Sequence, residues 1–236
     1  RMAMERRQYS EAIVAFNQLA TLDATSNARQ RIESIQAHRD KKLAEVSALV
    51  AVGEYTQAEP ILTELAGEFP EDADIARQLD DARASGRRIS SLLSGGVRDL
   101  WASRRLEELD RELAWLASKQ VRSDKLTRIG EDVRKALGWA NTQIEKASSY
   151  INSGNLKAAV TKATKVLEVV ADHAGAVHIS QRVGGVAEHV AMLSDHLSGN
   201  RWGAAYRVAT EIERSYVPNA QAMDLIARAK RAKASQ

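Results

Sequence analysis

Residues 53–65 read Gly53-Glu54-Tyr55-Thr56-Gln57-Ala58-Glu59-Pro60-Ile61-Leu62-Thr63-Glu64-Leu65. Counted from Tyr55, apolar side chains fall three, seven and ten residues on, at Ala58, Leu62 and Leu65. Spacings that alternate three and four put these residues on one stripe of a helix. Gly53 precedes the stripe, where a residue without Cβ takes the left-handed conformation that ends a preceding helix. The stretch therefore reads as a tight turn and then a short amphipathic helix.

The pattern recurs along the whole chain. Anchors at Tyr9, Tyr55, Leu106, Leu156 and Trp202 lie 46, 51, 50 and 46 residues apart. The first leads to Ala12, Phe16 and Leu19, and the third to Leu109, Leu113 and Leu116. The fourth leads to Ala159, Ala163 and Val166, the fifth to Ala205, Ala209 and Ile212. Recurrence at this period is the mark of a stacked helical array, an α-solenoid. Gly154-Asn155-Leu156 repeats the glycine turn, and Gly199-Asn200-Arg201-Trp202 repeats it with one extra residue. Arg7-Gln8-Tyr9 and Arg104-Arg105-Leu106 lack the glycine, so their turns are expected to be tighter or less regular. A small residue stands at the third position in four units, which lets the paired helix approach closely. Leu109 takes that place in the third and predicts a locally wider separation.

Each short helix is expected to stop near Asp23, Pro70, Val121, Asp172 or Pro218, because Pro cannot continue a helix and Asp favours its ends. Asp72, Ser123 and Asn219 are candidate N-caps for the next helix. The second helix of each unit is longer. One spans Ser26 to Val52. Another carries the stripe Leu126, Ile129, Val133, Leu137, Ala140, Ile144, Ala147 and Ile151. A third carries Ala176, Ile179, Val183, Val186, Val190, Leu193 and Leu197. A helix of about 27 residues is roughly 40 Å long, against roughly 21 Å for its short partner. Continuous long helices are expected, with Gly86, Gly95-Gly96, Gly138 and Gly184-Gly185 as the places where one would break.

Composition agrees with an all-α chain. The 236 residues include 3 Pro, 2 Phe and no Cys, so neither a disulfide framework nor a thiolate metal site is expected. Absent cysteine fits a reducing compartment, and a cytoplasmic location is expected. No apolar run reaches membrane-spanning length. Residues 1–118 carry 16 Lys/Arg against 20 Asp/Glu, whereas 119–236 carry 18 against 11. An acidic front and a basic rear can each steer a partner of opposite sign.

Gly53-Glu54-Tyr55-Thr56-Gln57-Ala58, Gly154-Asn155-Leu156-Lys157-Ala158-Ala159 and Arg7-Gln8-Tyr9-Ser10-Glu11-Ala12 resemble the inter-helix turn of tetratricopeptide (TPR) repeats. Pro70 and Pro218 stand where that family places its closing proline. The period is longer than the family's, so the chain resembles a TPR-like array with lengthened first helices. The resemblance implies one TPR-like domain over residues 1–236, of about five repeats with alternating long and short helices, acting as a protein-binding scaffold. The opening residues read as the tail of a helix, which predicts a piece of a longer protein.

Residues that could carry chemistry do not converge. His189 and His196 stand seven apart, about 10 Å along a helix, too far to share one metal ion. Glu107-Glu108, Asp80-Asp81 and Glu131-Asp132 are sequential and point about 100° apart, so they form no facing acid/base pair. Gly95-Gly96-Val97 lacks the Lys of a phosphate loop. No catalytic residue, cofactor or metal is expected. Trp101 and Trp202 read as core, while Trp115 and Trp139 stand beside the stripes and would anchor a partner if exposed.

The expected activity is therefore non-catalytic binding of a protein or peptide on the face lined by the long helices. Candidate contacts are Arg122, Lys125, Arg128, Arg182, His189 and His196, and the His/Arg-lined part suits an acidic peptide below about pH 6.5. Two other classes compete. A nucleic-acid-binding array would use the basic half 119–236, with Arg122, Lys125, Arg128 and Lys135 or Arg228, Lys230, Arg231 and Lys233 on phosphates. A regulatory or sensor region of a larger signalling enzyme, such as a kinase, would use the same scaffold within a longer chain.

Overall fold

The five anchors each begin a helix or fall at its first described residue. In a computed structural model, which describes residues 9–22, 27–215 and 220–235, the short helices are α1 (Tyr9–Leu22), α3 (Tyr55–Glu68), α6 (Leu106–Ser118), α8 (Leu156–Leu167) and α11 (Trp202–Ser215). Between them run α2 (Ala28–Ala51), α4 (Ala73–Ser91), α5 (Val97–Ala102), α7 (Asp124–Asn152), α9 (Ala174–His178) and α10 (Gly184–Ser198), and α12 (Ala220–Ala234) comes last. Every regular element among the described residues is helical. No described helix is long and apolar enough to cross a membrane. The Arg7-Gln8 turn, Asp23, Ser26, Pro218 and Asn219 lie outside the described residues.

The long helices pass through two of the four glycine sites by changing pitch. Leu92–Gly96 is a π-turn joining α4 to α5, closed by Val97 N donating to Leu92 O. Ile179–Val183 is a second, joining α9 to α10, closed by Gly184 N donating to Ile179 O. A Cβ on Gly96 would stand 3.2 Å from Leu92 Cδ2 and 3.3 Å from Ser91 O, so a larger residue there would crowd the first π-turn. Gly86 and Gly138 lie within α4 and α7 without a break.

The chain forms two compact units, residues 1–97 with 114–123 and residues 98–113 with 124–236. In the first, α2 packs on α1 and α3, and α3 on α4. Its core holds Ala12, Ile35, Val46, Ala58, Leu62, Leu65, Ile75 and Leu79. Polar bridges also tie α2 to the end of α3 and to the loop after it: His38 Nε2 to Glu68 Oε2 (3.0 Å) and Arg39 Nη2 to Asp72 Oδ2 (2.6 Å). In the second unit α8 packs on α7 and on the second π-turn, and α11 packs on α10 and α12. All seven stripe residues from Ala176 to Leu197 are buried. Apolar side chains at the repeated positions thus form the seams, since burying them is the main driving term.

Of the repeated positions, Leu62, Leu116, Val166 and Ile212 are buried, and Phe16 and Leu113 are half-buried. Leu19 departs from the stripe at 43% exposed. Trp101 departs as well: expected in the core, it is 44% exposed. Trp202 is half-buried. Trp115 lies under the guanidinium of Arg88, 4.1 Å from the ring centroid, and Trp139 is 41% exposed.

The turns are more uniform than glycine placement predicts. Gly53, Arg104, Gln120, Gly154 and Asn200 all have positive φ. After each, the next N–H donates five residues back: Glu54 to Leu49, Arg105 to Leu100, Val121 to Leu116, Asn155 to Tyr150 and Arg201 to His196, at 2.8–3.0 Å. The positive-φ residue itself donates three residues back in every case. This pair of bonds is the Schellman ending, which satisfies carbonyls a helix end would leave bare. The Arg104 turn is therefore the same turn as the glycine ones, neither tighter nor less regular. Before the fifth anchor, Trp202, it is Asn200, not Gly199, that takes the left-handed conformation, to which Asn is better suited than most residues.

Candidate binding groove

An open groove of about 820 Å³ lies in the second unit between the start of α8 and the face of α10. The first wall begins at the Gly154 turn. Asn155 caps α8 by accepting a hydrogen bond from Ala158 N at 3.1 Å, and Leu156 is buried as the anchor. With the helix started in this way, Lys157, Val160 and Thr161 turn toward the groove. Gly184, Ala187, Ala191 and Ser194 make the second wall, with Glu188 as its acid. Small side chains leave the floor open, because a larger residue at any of these positions would fill it.

The far end of α8 is held by a polar clasp. The Arg104 guanidinium donates to Glu168 O at 2.6 Å, and Ala171 N donates to Arg104 O at 2.8 Å. Asp172 accepts from the N–H groups of Glu107 and Glu108, while the Glu107 carboxylate accepts from Ala174 N. His173 is buried; its Nδ1 accepts from Ala176 N at 3.3 Å, so the proton sits on Nε2, which donates to Asn141 Oδ1 at 3.1 Å. In this neutral tautomer the 3.8 Å approach of Nδ1 to Glu107 Oε1 is no ion pair. These bonds fix both ends of α8 and hence the wall it supplies.

A second, smaller hollow of about 350 Å³ flanks α8 on residues 150–165. It shares Asn155, Lys157 and Thr161 with the groove and adds Tyr150, Lys162 and Lys165. Lys162 Nζ donates to Gln143 Oε1 at 3.1 Å. No Asp or Glu occurs from Leu156 to Leu167, so this flank of the groove is cationic.

No family model matches the sequence, and no curated protein or solved structure matches it either.

The six residues that the sequence favours lie elsewhere. Arg122 belongs to the first unit; Lys125 and Arg128 are exposed on α7. Arg182 is exposed on the second π-turn. His189 and His196 are half-buried on α10, and the Nδ1 atom of each is buried with no hydrogen-bond partner among the described residues. At about 100° per residue, both histidines lie roughly half a turn from Ala187, Ala191 and Ser194. None of the six lines the groove. Its actual lining is silent in the sequence because Gly184, Ala187 and Ala191 carry no chemical signature; the acid-free run Lys157–Lys165 is the one legible signal. Among the described residues, no three His, Asp or Glu side chains are placed to hold a metal.

Proposed function

We propose that the chain is a TPR-like α-solenoid that binds a protein or peptide without catalysing a reaction, and that the groove between α8 and α10 is where a peptide segment docks. The observation that carries this reading is the groove itself: about 820 Å³, open, with small residues along one wall and a capped helix start along the other. Peptide-sized concavities with small walls admit an extended segment or one helix face. A repeated packing relation supports the array. In the first unit the Gly53 turn abuts the loop after α6, where a methyl on Gly53 would stand 2.8 Å from Lys119 O. In the second, the Arg104 turn abuts the loop after α8 through the Ala171 to Arg104 hydrogen bond. The same turn meeting the same kind of loop, one repeat on, is what stacked hairpins produce.

Selection of a displayed random-peptide library on the whole chain tests the reading. Enriched peptides are expected to lose binding to Ala191→Arg, since Ala191 is exposed on its helix and an arginine there fills the groove without touching the core. Peptides that bind this variant as well as the parent chain would overturn the docking site.

A further inference from the structure

The hollow beside α8 bears on which peptide the groove takes. Lys157, Lys162 and Lys165 line it together with Tyr150, and no carboxylate does. Lys157 and Lys165 are exposed, and none of the three lysines forms an ion pair among the described residues. Lys162 is instead oriented by Gln143, a neutral partner that leaves its charge uncompensated. The hollow and the groove border the same residues, Asn155, Lys157 and Thr161, so one ligand lying across them reaches both. Lys157 and Lys165 stand eight residues apart on α8, about 12 Å along its axis. That span matches roughly four residues of an extended chain.

We infer that the partner segment is an acidic peptide, whose Asp or Glu side chains enter the lysine hollow while its backbone and small apolar side chains lie in the groove. This rests on the reading of the groove as a peptide site. Charge complementarity of this kind sets orientation and association rate as much as affinity. Glu188, on the opposite wall, repels acidic side chains there and so confines them to the α8 side. A neutral peptide would leave three cations unanswered but would still fit the groove.

The test uses fluorescence anisotropy with the whole chain and a fluorescein-labelled peptide of repeating Asp-Glu-Ala-Ile units, beside its neutral counterpart of Asn-Gln-Ala-Ile units. The acidic peptide is expected to bind at least about tenfold more tightly, a difference of about 1.4 kcal/mol. That preference is expected to vanish in Lys157→Glu/Lys165→Glu and to shrink in Lys157→Gln/Lys165→Gln, with helical circular dichroism and melting unchanged in both. Equal binding of the two peptides, abolished by Ala191→Arg, would overturn the acidic assignment and leave the peptide groove standing. Absence of acidic-peptide binding, or affinity unmoved by either lysine variant, would overturn the assignment too. So would an oligouridylate that binds through the same lysines when the acidic peptide does not.

Discussion

Glu107 and Asp172, 65 residues apart in the chain, each accept backbone hydrogen bonds from the helix start beside the other. Asp172 Oδ1 and Oδ2 accept from Glu107 N at 3.1 Å and Glu108 N at 2.8 Å, at the start of α6. Glu107 Oε1 and Oε2 accept from Ala174 N, each at 3.3 Å, at the start of α9. A carboxylate at a helix start satisfies bare N–H groups and complements the dipole. Here the exchange also ties two non-adjacent turns of the second unit. Asp172→Ala is expected to cost about 1–2 kcal/mol in urea unfolding. Because each carboxylate accepts from the helix start beside the other, Glu107→Ala and Asp172→Ala should couple by about 0.5 kcal/mol or more in a double-mutant cycle. Simple additivity would show the two caps to be independent.

The Schellman turns make a signed prediction. Gln120 holds φ +61°, a left-handed conformation that costs a residue with a Cβ about 1–2 kcal/mol, more than the about 0.5–1 kcal/mol of extra freedom a glycine loses on folding, so Gln120→Gly is expected to stabilise the chain by up to about 1 kcal/mol. Gly53→Ala works against both φ +82° and the Lys119 carbonyl oxygen 2.8 Å from the new Cβ, and should cost more than Gln120→Gly gains. Chemical denaturation of the two variants reads both signs.

The repeated small residue at the third position predicts an asymmetry of packing. Ala159 and Leu109 are both fully buried at equivalent places. Ala159→Leu forces extra methyls into a close helix contact, for a cost of about 1–3 kcal/mol. Leu109→Ala leaves a cavity, for about 2–5 kcal/mol. A neutral Ala159→Leu would show that the two helices are not held at close approach.

Asp72 couples the first unit to pH. Burial of its carboxyl opposes ionisation, but hydrogen bonds from Ile75 N–H and Arg39, the charge of Arg39, and a hydrogen bond from Asp74 N–H outweigh it and hold its pKa below the usual 3.8. A lowered folded-state pKa means the ionised group stabilises the fold above the unfolded value, and that contribution is lost as pH falls through the folded value. The stability difference between the parent chain and Asp72→Asn is therefore expected to be constant near neutrality and to shrink below about pH 4. Urea unfolding across that window measures it. A difference unchanged down to pH 2 would mean that the carboxylate's charge contributes nothing.

The helix starts are legible in the sequence because each anchor is a large apolar residue leading a three-four stripe, a pattern that burial alone imposes. Asp72 is legible as an N-cap, and it accepts from Asp74 N and Ile75 N. The Arg104 turn is not, since its left-handed residue is no glycine; flanking hydrogen bonds hold an arginine there. Leu19 and Trp101 match the apolar pattern yet stand partly in water, because a stripe predicts direction and not whether a neighbour covers that end of the helix. For the candidate site the sequence draws attention to charged and histidine side chains, which announce chemistry by type. A groove is made by what its walls lack, and alanine and glycine on α10 look the same in a sequence whether they face a neighbour or open space.

Residue-resolved amide chemical shifts of the whole chain, followed while the repeating Asp-Glu-Ala-Ile peptide is added, locate the binding site without any substitution. Saturable shifts are expected to concentrate at Gly154–Lys165 and at Gly184–Ser194. Shifts centred instead on Arg122, Lys125 and Arg128, or on the His189 and His196 face of α10, would refute the groove as the place where the peptide docks.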